Sequence, residues 1–172
     1  DLNNLMGKGY LLPAPILPLR RFKTSVLPTP MATCQNNLPV TAIAYNHEGR
    51  EVARHAFGCL PRGHNTLLET DKLISATEAF TEDYGHLELV YDFAGGGEAD
   101  GWLHGLFRYE DRDTGHTAET SFGAHIFNCV LTYKNEPQSY AGPAPGLSTR
   151  LFLRLGRAPQ DAMCHLIYPA ST

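Results

Sequence analysis

HLELVYDFAGGGEADGWLHGLFRYEDRDTGH, residues 86–116, holds the alternation on which the fold reading turns. Leu87, Leu89, Tyr91 and Phe93 fall on one face of an extended chain, and His86, Glu88 and Asp92 on the other, as the two-residue repeat of a strand requires. The pattern predicts a strand with one face buried and one solvated. Gly95-Gly96-Gly97 supplies a turn, and Trp102 to Tyr109 reads as the next strand. Glu110 to Gly115 then closes a hairpin before His116 begins the return. A phosphate loop should join a strand to a helix, whereas this glycine run precedes a β-hairpin.

The rhythm continues on both sides. Val40 to Tyr45 leads through Asn46-His47-Glu48-Gly49 into Glu51 to Phe57, a second predicted hairpin with good loop residues. Leu60-Pro61-Arg62-Gly63 turns the chain into His64 to Glu69. Thr70 to Ile74 carries a capping residue and predicts the one short helix, reaching Phe80. Ala124 to Thr132, Ser148 to Leu155 and Ala162 to Tyr168 read as further β segments. Connections this short leave no room for repeated helical crossovers, so antiparallel pairing is expected. The expected fold is an all-β, antiparallel β-sandwich of about eight or nine strands.

Six of the twelve prolines fall within residues 1–39. Proline removes an amide donor and keeps the preceding residue extended, which excludes a regular helix there. Tyr10-Leu11-Leu12 and Ile16-Leu17 are too apolar for a solvated linker. Residues 1–39 therefore read as an extended arm, packed either on its own domain, residues 40–172, or on a neighbouring subunit.

A chain of 172 residues suits one domain and can fold without a metal or disulfide. Fourteen Lys and Arg stand against 18 Asp and Glu, for a net charge of −4, and the basic residues form no stripe. That argues against nucleic-acid binding. No apolar run approaches the length of a membrane span, and Asp1-Leu2-Asn3-Asn4 lacks the regions of a signal peptide. The chain reads as soluble. Opening without Met leaves the compartment undecided between cytoplasm and export with the targeting segment outside this sequence. Cys34, Cys59, Cys129 and Cys164 are well separated and read equally as buried thiols or as two disulfides.

Two sets of residues could carry chemistry. On the strand from Trp102 to Tyr109, Leu103, Gly105, Phe107 and Tyr109 make the better core face. Trp102, His104 and Arg108 then share the other face, where aromatic area and a planar cation suit a small molecule, glycan or protein partner. The alternative for Trp102 is burial at the sheet edge or under the amino-terminal arm. The second set is His104, His116, Glu119 and His125, donors suited to a divalent transition metal such as zinc, iron or manganese. On an uninterrupted strand His116 and Glu119 have opposite parity, so a shared ion needs a bend near Ser121-Phe122-Gly123. Partnering by backbone, carboxylate or water explains the same histidines with no cofactor. No G-x-S-x-G elbow is present, and Cys129 and His125 are too far apart along a strand for direct proton transfer.

The run Thr41 to Val52, followed by Leu60-Pro61-Arg62-Gly63-His64-Asn65 and Leu73, resembles the strand and turn rhythm of the sensory rhodopsin transducer-like β-sandwich proteins over about residues 41–74. The resemblance implies a small sandwich that binds partners or small ligands and assembles as an oligomer. It transfers no site residue. The leading expectation is thus a noncatalytic module for ligand or partner recognition, or for homo-oligomer assembly. The alternatives are a metal-dependent enzyme built on the His/Glu set and a structural subunit joined through the amino-terminal arm.

Overall fold

The computed structural model describes residues 8–10, 14–32, 37–74, 80, 83–92 and 101–126. They form two antiparallel sheets that share one core. The strands are β1 (Lys8–Tyr10), β2 (Ala14–Ile16), β3 (Phe22–Ala32), β4 (Asn37–Tyr45), β5 (Glu51–Pro61), β6 (Leu68–Glu69), β7 (Gly85–Asp92), β8 (Gly101–Asp111) and β9 (Thr117–Ile126), with helix α1 (Thr70–Ile74) between β6 and β7. One sheet runs β1-β7-β4-β5, with β2 also on β7; the other runs β6-β3-β8-β9. The expected all-β fold is present, and among the described residues α1 is its single short helix. The segments foreseen at 148–155 and 162–168 lie outside the described residues.

Alternation delivers the core. Ala14, Ile16, Val40, Ala42, Ala44, Leu87 and Leu89 from the first sheet meet Val26, Leu68 and Phe107 from the second, with Ile74 and Phe80 closing the set. Burial of this apolar surface is the main favourable term in holding the sheets together. Gly85 permits the closest approach: a Cβ there would overlap the Phe80 ring and the Tyr45 carbonyl oxygen. At the β4–β5 turn, Asn46 Oδ1 accepts N–H bonds from Glu48 at 3.0 Å and Arg50 at 2.9 Å, and Gly49 takes the positive φ of 76°.

The proline-rich amino-terminal segment contributes strands to both sheets of its own chain. β3 pairs β8 over eleven residues, from Phe22↔Asp111 to Ala32↔Gly101. Proline belongs at an edge, because it cannot donate to a ladder. β6 pairs β3 only at Ser25 and Val26, which leaves the flank beyond them free for Pro28. His64 confirms the direction. Its Nδ1 accepts the Thr66 N–H at 3.0 Å, so Nε2 carries the proton and donates to the Pro28 carbonyl at 2.6 Å. The amide nitrogen and carbonyl of one antiparallel residue point to the same side, so Pro28 turns its missing donor away from β8.

β7 departs from the expected one-sided strand. Leu87 and Leu89 are buried as foreseen, but His86 is only 7% exposed and Glu88 only 1%. β7 lies between β4 on one side and β1 and β2 on the other, with His86 paired to both Tyr45 and Pro15 and Glu88 to Ile43. His86 Nε2 lies 3.1 Å from Glu88 Oε1, and the imidazole stacks on Tyr45 with centroids 5.0 Å apart. Partnering of this kind is what lets polar groups occupy a buried face.

Candidate functional site

The outer face of the β6-β3-β8-β9 sheet carries the candidate surface. Along β8, Gly105 and Phe107 are buried and Tyr109 is half-buried, while Leu106 and Arg108 are exposed and His104 is half-buried. The parity assignment therefore holds across these positions. Tyr109 fixes the strand from below by donating its hydroxyl to the Pro15 carbonyl of β2 at 2.9 Å. Burial pushes that phenol well above its ordinary pKa, so it stays a donor.

Register sets the neighbours. Leu27 of β3, Leu106 of β8 and Ser121 of β9 lie in one cross-strand row, and Ser25, Arg108 and Glu119 in the next. A groove of about 420 Å³ runs over these rows, with Leu27, Leu67, Leu106, Arg108, Glu119 and Ser121 among its lining residues. Leu67 is 54% exposed and Leu106 47%, the two large apolar side chains most open to solvent among the described residues. Arg108 Nε stands 4.0 Å from Glu119 Oε1, with both side chains largely in solvent. An ion pair so long and so exposed holds the guanidinium weakly, leaving its planar donors accessible.

The expected residues are distributed along this ladder. His104 pairs with Gly123, Arg108 with Glu119 and Trp102 with His125. Of Trp102 and His125 only the register position is described. β9 is one unbroken strand from Thr117 to Ile126, where a return followed by a separate segment from Ala124 was expected. Its pairing with β8 passes through Ser121, Phe122 and Gly123 without a register shift, so the bend required to turn His116 and Glu119 to one ion is absent. His104 and Glu119 sit four ladder steps apart, about 13 Å at the usual rise. Among the described residues, no group of three or more His, Cys, Asp or Glu side chains could hold an ion. Cys59 is a free, exposed thiol on β5, and the other three cysteines lie outside the residues whose side chains are described.

Two features escaped the sequence reading. The buried His86–Glu88 pair had a signal, a His-x-Glu spacing on a strand, but alternation alone assigns that face to solvent. Leu67 had none, because it lies in the irregular connection before β6.

Fold and surface together define a two-sheet antiparallel β protein with an apolar groove beside an edge strand. No family model, no curated protein and no solved structure matches the chain. Among the described residues, no helix is long and apolar enough to cross a membrane.

Proposed function

We propose that the protein is a noncatalytic recognition and assembly module whose groove-bearing sheet edge pairs with a second copy of the chain. The observation that carries this reading is the exposed leucine groove, with Leu67 and Leu106 open to solvent, lying directly against β9. Among the described residues β9 pairs only with β8, and Thr117 to Ser121 are all exposed. Among the described residues nothing pairs the N–H and C=O groups along this edge, the kind of edge that accepts a strand from another chain. Antiparallel pairing of β9 with its own copy is isologous, so it joins the two leucine grooves about a two-fold axis. Arg108 flanks that contact and sets its charge pattern with Glu119. The resemblance of residues 41–74 to the transducer-like sandwiches, which implies oligomer assembly, points the same way.

The ladder phase chooses the test. Pro28 turns its N–H position away from β8, so its partner Gly105 turns its own groups toward β9. Phe122, paired with Gly105, and Thr120, paired with Phe107, then bond to β8, whereas Ser121 and Glu119 point their backbone groups away from β8, where no described strand pairs them. Ser121→Pro removes an edge donor without touching the β8 ladder. Light scattering behind size exclusion, across a concentration series, should give a dimer for the natural chain. Ser121→Pro should give a monomer, and Leu106→Asp and Arg108→Ala should associate more weakly. A natural chain that stays monomeric, or a dimer indifferent to Ser121→Pro, would exclude this interface.

A further inference from the structure

A second site lies at one end of the sandwich, away from the leucine groove. Tyr45 pairs with His86, Ile16 with Gly85 and Phe22 with Asp111, so the β2–β3 and β4–β5 connections, the residues just before β7 and the β8–β9 turn all gather there. They are tied to one another. The Leu19 N–H donates to the Phe80 carbonyl at 2.8 Å and the Arg112 N–H to the Arg21 carbonyl at 2.8 Å. Arg112 Nε donates to the Leu19 carbonyl at 3.0 Å, and its Nη2 reaches Asp71 of α1. Loops held this way on a rigid scaffold are the usual seat of binding in two-sheet folds.

A cleft of about 490 Å³ opens between these segments, lined by Pro18, Arg20, Arg21, Phe22, Tyr84 and Asp113. The size suits a small molecule. Unlike the leucine groove, its lining is mostly polar, and its charges nearly cancel. The Arg21 guanidinium is held by Asp111 Oδ2 through Nε at 3.1 Å and Nη2 at 2.9 Å, and Arg20 and Asp113 line the same cleft. The Arg21 side chain is still 59% exposed. Asp113 in the lining and Asp111 bonded to Arg21 together offset the two arginines, so the cleft has no strong preference for negative charge. Guanidinium donors, a carboxylate acceptor and the rings of Phe22 and Tyr84 instead match a ligand with hydroxyls around its rim and C–H groups on its faces.

We infer that this cleft binds a neutral saccharide. Guanidinium N–H groups donate to its hydroxyl oxygens, the Asp113 carboxylate accepts from adjacent hydroxyls, and the aromatic rings cover its apolar face. Calorimetric titration of the full chain with lactose, maltose, mannobiose and chitobiose tests this, with sulfate and glycine as counter-probes. At least one disaccharide should bind saturably with a Kd of about 1 mM or tighter. Asp113→Ala and Arg20→Ala, both at exposed positions and each checked by thermal melting to be folded, should each weaken it about tenfold. No saturable disaccharide binding, binding indifferent to Asp113→Ala, or equal binding of sulfate or glycine would overturn the assignment. The same titration on Ser121→Pro should match the natural chain, so failure of the dimer and failure of the saccharide site are read separately.

Discussion

The two long edge strands solve the same problem in opposite ways. β5 carries two irregularities in its pairing with β4, one between Val40 and Thr41 and one between Ala44 and Tyr45, which set Phe57 and Val52 as extra residues on the edge side. Gly58 adds a positive φ of 70°, Arg54 and Glu51 form a bidentate ion pair on its surface, and Pro61 ends it. Bulges, charges and proline are the devices by which sheets refuse further strands. β9, of similar length, pairs without a shift and contains no proline, lysine or arginine. Among the described residues, one edge thus carries devices against further pairing and the other does not, which is the contrast the proposed β9 interface rests on.

Adjacent prolines on β9 give the largest expected effect. Thr120→Pro deletes a donor used by Phe107 and should lower stability by on the order of 3 kcal/mol in urea unfolding. Ser121→Pro, one residue on, should stay within about 1 kcal/mol of the natural chain when both are compared as monomers. Equal losses would mean that the phase inferred from Pro28 and His64 is wrong, and with it the direction of the open edge.

A smaller effect sharpens the other edge. Gly58 has open space where a Cβ would stand, so only its backbone conformation resists substitution. Gly58→Val should cost about 1–2 kcal/mol, the strain of a branched residue at positive φ. Thermal unfolding that leaves the midpoint unmoved would show that the β5 bulge does not need its glycine.

Much of this was readable because it is local. Leu87 and Leu89, the Asn46 to Gly49 turn, the short helix at Thr70 and the opposite faces of Phe107 and Arg108 all follow from parity and turn chemistry within a few residues. Part of what escaped depends on partners far along the chain. Pro28 reads only as part of an extended arm, and its place inside an eleven-residue strand becomes clear once the β6 pairing is seen to stop at Val26 and leave its flank open. Glu88 reads as solvent-facing because parity sets it opposite Leu87 and Leu89, yet it is only 1% exposed and partnered by His86. Register likewise bears on the His/Glu set. The parity of His116 and Glu119 was legible, but whether Gly123 bends the strand was not, since glycine permits a bulge without requiring one.

The short β6 edge supplies the third and smallest contrast, because it is guarded by charge. Glu69 lies between Lys23, at 2.7 Å, and Lys72, and the hydrogen bonds from Lys23 and then Lys72 lower its pKa from 4.5 to about 2. A carboxylate with a depressed folded-state pKa contributes stability that is fully present above its unfolded value. That contribution drains away as pH falls from about 4.5 toward 2. Solvent around this surface cluster keeps the effect small. Glu69→Gln should therefore flatten the acid limb of the melting temperature between those two pH values and leave the oligomeric state alone, because β6 is not the receptive edge. A loss of association in Glu69→Gln would move the interface from β9 to β6 and reverse the assignment of open and closed edges.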